Sequence, residues 1–172
     1  PAPAADPDSV EREIRLAQQS LEHAEERLTR LSADSIGAPF PAHVVMAAGL
    51  FKDFNALHTN AAWAAGNRFG GRVVHGFLVL GIMCGVYSGY FHATDISTVE
   101  ESARFLAPVY PGETITTEWV VAAMEPKRSV DGGLVTLRGT ARNQHGAAVV
   151  EMEVKLLVAN TPFGDFKRRE EA

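Results

Sequence analysis

The chain has 172 residues and a net charge of −5, and 46% of its residues are hydrophobic while 22% are charged. These values are typical of a single folded domain and exclude a largely disordered chain. The acidic balance argues against a nucleic-acid binder, the lack of an apolar run of roughly 18 residues argues against a membrane span, and the single cysteine excludes an internal disulfide. With one cysteine and no recognisable signal segment, we expect a cytoplasmic protein.

The first 34 residues differ in pattern from the rest of the chain. Apolar residues recur at steps of three and four from Val10 to Leu31, which predicts an amphipathic helix over about residues 9–31. Its narrow apolar stripe is typical of a helix that packs on its own domain or on a second copy, and docking of another protein is the alternative. Eight acidic residues and four arginines lie in this segment, so it holds most of the net negative charge.

The middle of the chain predicts helices on either side of a polar segment. Residues 32–41 contain glycine and proline breakers and are interpreted as a linker, and residues 44–50 as a short helix. A segment rich in polar residues and glycine follows. Residues 76–91 are apolar nearly all round, which predicts one buried helix. Trp63 and Trp119 are expected in the core.

The second half of the chain predicts four antiparallel strands, over residues 98–106, 113–124, 134–143 and 147–159. The alternation is clearest in the second strand, where Ile115, Thr117, Trp119 and Val121 share one face. The sequence therefore predicts an α+β fold in which one long antiparallel sheet packs against a central helix. We expect an N-terminal extension over residues 1–34, the folded domain over 35–160 and a charged tail over 161–172.

A cluster of polar residues precedes the central helix. Asp53 and His58 lie five residues apart, and a carboxylate beside an imidazole can hold a water molecule and exchange protons with it. Asn55 is suited to hydrogen-bond its own loop, and Gly76 opens a helix whose free N–H groups favour a developing negative oxygen. His75 is interpreted as an anchor for the turn before Gly76. From spacing alone, a helix-capping Asp and a loop His are the simpler interpretation.

Three segments of the chain resemble motifs of one known family. DFNALHTNAAWAAGNRFGGRVVHGF is similar to a D-x-N-P-x-H motif followed by a glycine-rich turn and an HG pair that opens a helix. ARFLAPVYPGETI is similar to an R-F-x-x-P-V-x-P-G-D-T motif, and TARNQHGAAVVEMEVKLLV to a closing N-Q-x-G hairpin. These motifs, in this order, resemble those of MaoC-like, R-specific enoyl-CoA hydratases of the hotdog fold.

The resemblance implies a hotdog domain paired as a homodimer and a catalytic dyad of Asp53 and His58. It also implies loop support from Asn55 and an oxyanion hole at the Gly76 amide. The implied reaction is reversible addition of water to a trans-2-enoyl thioester of CoA or acyl-carrier protein, which gives the (R)-3-hydroxyacyl thioester. No cofactor and no metal are expected. Phe77 and Cys84 are candidates for the acyl pocket.

The departures from the family pattern leave alternatives open. Phe51–Lys52 stands where the family has Ser-Gly, and Ala56 stands where it has Pro, which favours an unusual acyl chain. The alternatives are a hotdog acyl thioesterase and a non-catalytic acyl-binding or scaffold subunit. Five basic residues are candidates for contact with substrate phosphates, although exposed surface is the simpler interpretation of each: Arg68, Arg72, Arg104, Lys127 and Arg128.

Overall fold

The computed structural model describes residues 35–36 and 41–162. The amphipathic helix expected over about 9–31 and the tail from residue 163 onward lie outside these residues. The helices are α1 (Pro41–Phe51), α2 (Ala56–Thr59), α3 (Ala61–Ala65) and α4 (Gly76–Tyr90). The strands are β1 (Ser35–Ile36), β2 (Asp95–Phe105), β3 (Ile115–Lys127), β4 (Gly132–Asn143) and β5 (Ala148–Ala159). No helix in the described ranges is long and apolar enough to cross a membrane.

The strands form one antiparallel sheet in the order β1-β3-β4-β5-β2. One row across the four long strands joins Trp119, Gly139, Met152 and Ala103 as successive partners. A side chain at Gly139 would begin 2.6 Å from the Trp119 ring, so the glycine makes room for the indole. The expected α+β class and the hotdog fold, a long sheet around a central helix, are confirmed.

The core lies between α4 and one face of the sheet. Helix α4 buries Val79, Met83 and Tyr87, and the Tyr87 ring meets the Trp119 ring edge to face at a centroid distance of 5.2 Å. Full burial of a large apolar side chain stabilises a fold by about 1.5–3 kcal/mol. Such residues come from β3, β4 and β5, whereas the edge strand β2 is fully or partly exposed along its length, so the core is formed by these three strands and α4. The largest fully buried apolar residues on the sheet are Trp119, Ile115, Leu137, Leu156, Val149 and Val150.

The structure corrects four expectations from the sequence. The segment interpreted as a linker contributes β1, whose two residues pair with Thr116 and Ile115 of β3. The polar segment after α1 contains α2 and α3, because Asn55 and Asn60 cap them through their side chains. Trp63 is 53% exposed and therefore outside the core, whereas Trp119 is buried as expected. Helix α4 buries one face only, although it is apolar nearly all round.

Candidate active site

The turn after α1 places Asp53. Lys52 adopts a φ of 56°, in the left-handed region that favours glycine, and it occupies the position where the family motif has glycine. Lys52 therefore adopts here a backbone conformation that glycine adopts more readily. Asp53 Oδ1 then accepts the Asn55 N–H at 3.2 Å, and Asn55 Oδ1 accepts the Leu57 N–H at 2.9 Å at the start of α2. The second bond caps α2, so Asn55 fixes the loop that carries Asp53.

His58 lies on α2 with its imidazole held in a defined tautomer. Its Nδ1 lies 2.8 Å from the Val73 carbonyl oxygen, which can only accept, so Nδ1 carries the hydrogen. The Nε2 of the neutral ring therefore has a free lone pair, and it lies 3.6 Å from Asp53 Oδ2. The His58 side chain is 12% exposed and that of Asp53 is 49% exposed, so the pair lies at the border between protein and solvent.

His75 holds the backbone of Asp53 through a hydrogen bond. Its Nε2 donates to the Asp53 carbonyl oxygen at 3.0 Å, and its ring stacks on the His58 ring at a centroid distance of 3.9 Å. His75 is 2% exposed, and its Nδ1 is buried without a hydrogen-bond partner among the described residues. The short segment from Val73 to His75 thus positions both members of the predicted dyad.

Gly76 begins α4 directly after this segment. Its N–H belongs to the first turn, where backbone donors have no partner within the helix. A side chain at this position would begin 2.7 Å from the Phe105 ring, so only glycine lets Phe105 pack against the start of α4. The first turn therefore combines a free donor with the positive end of the helix dipole, which favours a negative oxygen.

A cavity of about 500 Å³ opens beside these groups. Asp53, His58, His75 and Gly76 border it, and most of the remaining lining is apolar. Of the two expected pocket residues, Phe77 lines this cavity, whereas the Cys84 sulfur lies 3.4 Å from Glu101 Oε1 and is not part of the lining. The apolar lining residues are Phe69, Val73, Val74, Phe77, Val79, Phe105, Leu106, Ala107, Pro108, Val109 and Val150.

Of the five basic candidates, Arg72, Lys127 and Arg128 are not among the residues that line the cavity. Arg68 lines the cavity, whereas Arg104 lies on the outer face of the sheet in an ion pair with Glu151. These residues could not be ranked from their spacing, because the loop that carries Arg68 is positioned by tertiary contacts such as the bond from the Tyr110 hydroxyl to the Phe69 carbonyl. Phe105 was also missed as a neighbour of Gly76, although its place in the second motif was the available signal.

Donor atoms of Asp53, His58 and His75 lie within 4.8 Å of one another, which raises the question of a metal ion. The two imidazole planes, however, are stacked with only 24° between them. Imidazole lone pairs lie in the ring plane, so two stacked rings direct them along nearly parallel planes rather than toward one ion. His58 Nδ1 and His75 Nε2 are also engaged by carbonyl oxygens. The arrangement is better suited to proton transfer than to metal coordination.

Comparisons with known proteins agree with this fold and show the family. Residues 14–143 match the family model described as MaoC like domain, a match that begins before the residues the structure describes. An (R)-specific enoyl-CoA hydratase of Aeromonas caviae is 33% identical over 67% of this chain and 84% of its own length. Another from Rhodospirillum rubrum is 30% identical over 67% and 76%. The chain belongs to the MaoC-like domain family.

A solved structure gives the same result for the fold. The (R)-hydratase from A. caviae involved in PHA biosynthesis is 28% identical to this chain. The similarity covers 72% of this chain and 91% of that one, with a TM-score of 0.63. The hotdog architecture of the described residues is therefore that of a structurally known hydratase.

Proposed function

We propose that the protein adds water to a trans-2-enoyl thioester, or removes it from the (R)-3-hydroxyacyl thioester, carried by CoA or acyl-carrier protein. The observation that carries this proposal is the approach of His58 Nε2 to Asp53 Oδ2, at 3.6 Å, beside an apolar cavity and the start of α4. Two relatives named as (R)-specific enoyl-CoA hydratases support the same reaction here.

The dyad is arranged to hold one water molecule. A separation of 3.6 Å between Nε2 and Oδ2 is too long for a strong direct hydrogen bond, and it leaves one water able to contact both atoms. Both atoms accept, because His58 Nδ1 keeps the ring hydrogen at Val73 and the Asp53 carboxylate is an acceptor. The water donates both of its hydrogens to the pair, and its oxygen lone pairs face outward for attack.

Hydration then proceeds by attack of the water on C3 and return of a proton to C2. The water oxygen forms a bond to C3 of the substrate while the π electrons move toward C2 and the thioester oxygen. The Gly76 N–H stabilises the negative charge that develops on this oxygen, a type of contact worth about 10²–10³ in rate. One member of the Asp53–His58 pair takes the proton released by the water, and the pair returns a proton to C2. Because both groups lie on one side of the substrate, addition is syn.

The apolar lining is suited to the acyl chain. Phe77, Val79 and Phe105 surround the space next to Gly76 and contribute no polar group that an alkyl chain would leave unpaired. A cavity of about 500 Å³ lies within the range of small-molecule sites, which is about 300–1,000 Å³. A chain seated there places C3 beside the dyad while the thioester carbonyl lies at the start of α4.

The direct test is incubation of the protein with crotonyl-CoA. Hydration removes the absorbance of the enoyl thioester without release of free thiol, and mass spectrometry detects a product heavier by one water. Release of free thiol, with the double bond intact, would instead identify a thioesterase. Neither change, with a panel of enoyl chain lengths on CoA and on acyl-carrier protein, would favour a non-catalytic acyl-binding subunit.

We further propose that the protein works as a homodimer. Strand β2 lies at the edge of the sheet, and its exposed residues include Val99 and Phe105, at 57% and 55% exposure. An edge strand with exposed apolar side chains is a surface that a second copy would cover. Sedimentation velocity should give twice the chain mass, and Val99→Arg should shift the protein toward the monomer. A monomeric wild-type protein at micromolar concentration would contradict the proposal.

A further inference from the structure

Arg68 is a cavity residue for which the hydration chemistry has no use. The backbone on both sides of it is fixed, since Asn67 Oδ1 accepts the Phe69 N–H at 2.7 Å and the Asn67 carbonyl accepts the Gly70 N–H at 3.0 Å. The Tyr110 hydroxyl also donates to the Phe69 carbonyl at 2.9 Å. These three bonds hold the turn that presents Arg68 to the cavity, so its placement does not depend on its own side chain.

The guanidinium of Arg68 has unused hydrogen-bonding capacity. Its central carbon lies 4.6 Å from the centroid of the Phe69 ring, a cation–π contact that leaves the N–H donors at the rim of the group free. No carboxylate within residues 41–162 forms an ion pair with it. Arg104, Arg138 and Arg142 on the sheet, by contrast, each pair with a glutamate.

The cavity gives this cation a defined chemical preference. Arg68 and Asp53 are the charged residues of the described lining, and the other members are mostly apolar. A planar guanidinium with parallel N–H groups matches the paired oxygens of a phosphate or a carboxylate. Arg68 is an exposed member of this lining, so a thioester that enters from solvent can reach its guanidinium.

We propose that Arg68 binds an oxyanion of the substrate, either a phosphate of the carrier arm or a carboxylate on the acyl chain. This inference rests on the proposed function only in that the ligand is a thioester that enters the cavity. The expected gain for a charge-assisted contact of this kind corresponds to about ten- to a hundredfold in affinity. Arg68 is thus a binding residue that selects which thioesters the dyad receives.

Isothermal titration calorimetry with saturated thioesters, which have no double bond to hydrate, tests the inference independently of turnover. The three probes are butyryl-CoA, which carries phosphates, adipyl-N-acetylcysteamine, which carries a carboxylate on the acyl chain, and butyryl-N-acetylcysteamine, which carries neither. Each is titrated into the wild-type protein and into Arg68→Ala, Arg68→Lys and Arg138→Ala. Arg138→Ala is the matched control, because it removes the same charge from the outer face of the sheet.

Arg68→Ala should weaken binding of one charged probe by about ten- to a hundredfold and change binding of the neutral probe by less than about twofold. Loss with butyryl-CoA alone identifies the phosphate, and loss with adipyl-N-acetylcysteamine alone identifies the acyl carboxylate. Arg68→Lys should retain part of the affinity, and Arg138→Ala all of it. Equal loss with all three probes, no loss with any, or no binding to the wild-type protein would overturn the inference.

Hydration of crotonyl-CoA is measured in parallel with the same proteins. If the wild-type protein binds the probes in an Arg68-dependent way but hydrates nothing, the proposed reaction is wrong and the oxyanion site stands. If it hydrates crotonyl-CoA but Arg68→Ala leaves the binding of every probe unchanged, the reaction stands and the oxyanion site is wrong. The two failures are therefore distinguishable.

Discussion

The first turn of α4 and its middle both carry polar groups, but the two regions treat them differently. In the middle, the Tyr87 hydroxyl donates to Glu101 Oε1 at 2.7 Å, and the Cys84 thiol lies 3.4 Å from the same oxygen. At the first turn, His75 Nδ1 is buried without a partner in the described chain. Polar groups that hydrogen-bond to one another stabilise a fold. Polar groups that are held in place without a hydrogen-bond partner are available to a substrate.

The ionisation of the middle region follows from its burial. Desolvation raises the pKa of the Tyr87 hydroxyl well above its ordinary value, and the hydrogen bonds with Cys84 and Glu101 raise it further. Desolvation also raises the pKa of the Cys84 thiol, so Cys84 remains a thiol at neutral pH and is not a nucleophile. At neutral pH the middle of α4 therefore holds neither a thiolate nor a phenolate, because the pKa of both groups is raised.

An unpaired polar group alone does not define a site. Thr117 Oγ1 and Trp119 Nε1 on β3 are also buried without a partner among the described residues. Neither residue borders the cavity that Asp53, His58 and Gly76 share. A functional site therefore requires two conditions together, an unpaired polar group and contact of that group with the cavity.

The largest effect is expected from Asp53→Asn, which should lower kcat by about 10²–10⁴-fold, the usual range for a general acid–base group. The amide oxygen of Asn can still accept the Asn55 N–H that Asp53 Oδ1 accepts at 3.2 Å, so the fold should persist. Steady-state hydration of crotonyl-CoA gives kcat, and circular dichroism checks folding. Glu153→Gln on the outer face is the matched control, and full activity of Asp53→Asn would refute the dyad.

A smaller loss is expected from Gly76→Ala. The new methyl group would lie 2.7 Å from the Phe105 ring, so either the ring or the start of α4 must move. A displacement of the N–H relative to the thioester oxygen should lower kcat by roughly ten- to a hundredfold. Activity of the double variant with Phe105→Leu should partly recover, because the smaller side chain removes the clash.

Gly49→Ala is the control for this substitution. Gly49 lies in α1, and no atom lies within 4 Å of the position where its side chain would begin. Alanine should therefore stabilise the helix by up to about 1 kcal/mol and leave kcat unchanged. A loss of activity in Gly49→Ala equal to that in Gly76→Ala would show that the effect is one of general helix geometry.

Much of this site could be predicted from the sequence, and the part that could not is tertiary. The motifs identified Asp53, His58 and Gly76, and the alternation in β3 predicted the sheet. Spacing could not show that the Val73 carbonyl fixes the His58 tautomer, since the two residues lie on separate segments. The two residues of β1 were missed because so short a strand exists only through its pairing with β3.

A substitution in the middle of α4 should change the stability of the fold and leave the rate of the reaction unchanged. Tyr87→Phe removes the 2.7 Å bond to Glu101 and should lower the free energy of unfolding by roughly 1.5–3 kcal/mol, the range for a hydrogen bond to a charged group. Chemical denaturation measures this change, and kcat for crotonyl-CoA should stay within about twofold. A large loss of kcat with an unchanged free energy of unfolding would place Tyr87 in the active site instead.

The pH dependence of the free energy of unfolding tests the same substitution in a second way. The folded-state pKa of Tyr87 is raised above the value of about 10 for an unfolded tyrosine, so the folded chain binds more protons above that pH. The stability from this group is fully present below pH 10 and is lost as pH rises above it. The difference in unfolding free energy between the wild-type protein and Tyr87→Phe should therefore shrink above about pH 10.

The smallest effect is expected on the outer face of the sheet. Arg138 Nε donates to Glu153 Oε2 at 2.8 Å, and the side chains are 67% and 40% exposed, so water and salt screen the pair. Arg138→Ala should lower stability by at most about 1 kcal/mol, and less at high salt. This residue also borders a second depression, of about 400 Å³, whose polar groups are largely paired with one another. Thermal unfolding at two salt concentrations measures the change in stability, and kcat for crotonyl-CoA should be unchanged. A loss of activity would show that paired charges on this face also serve the reaction.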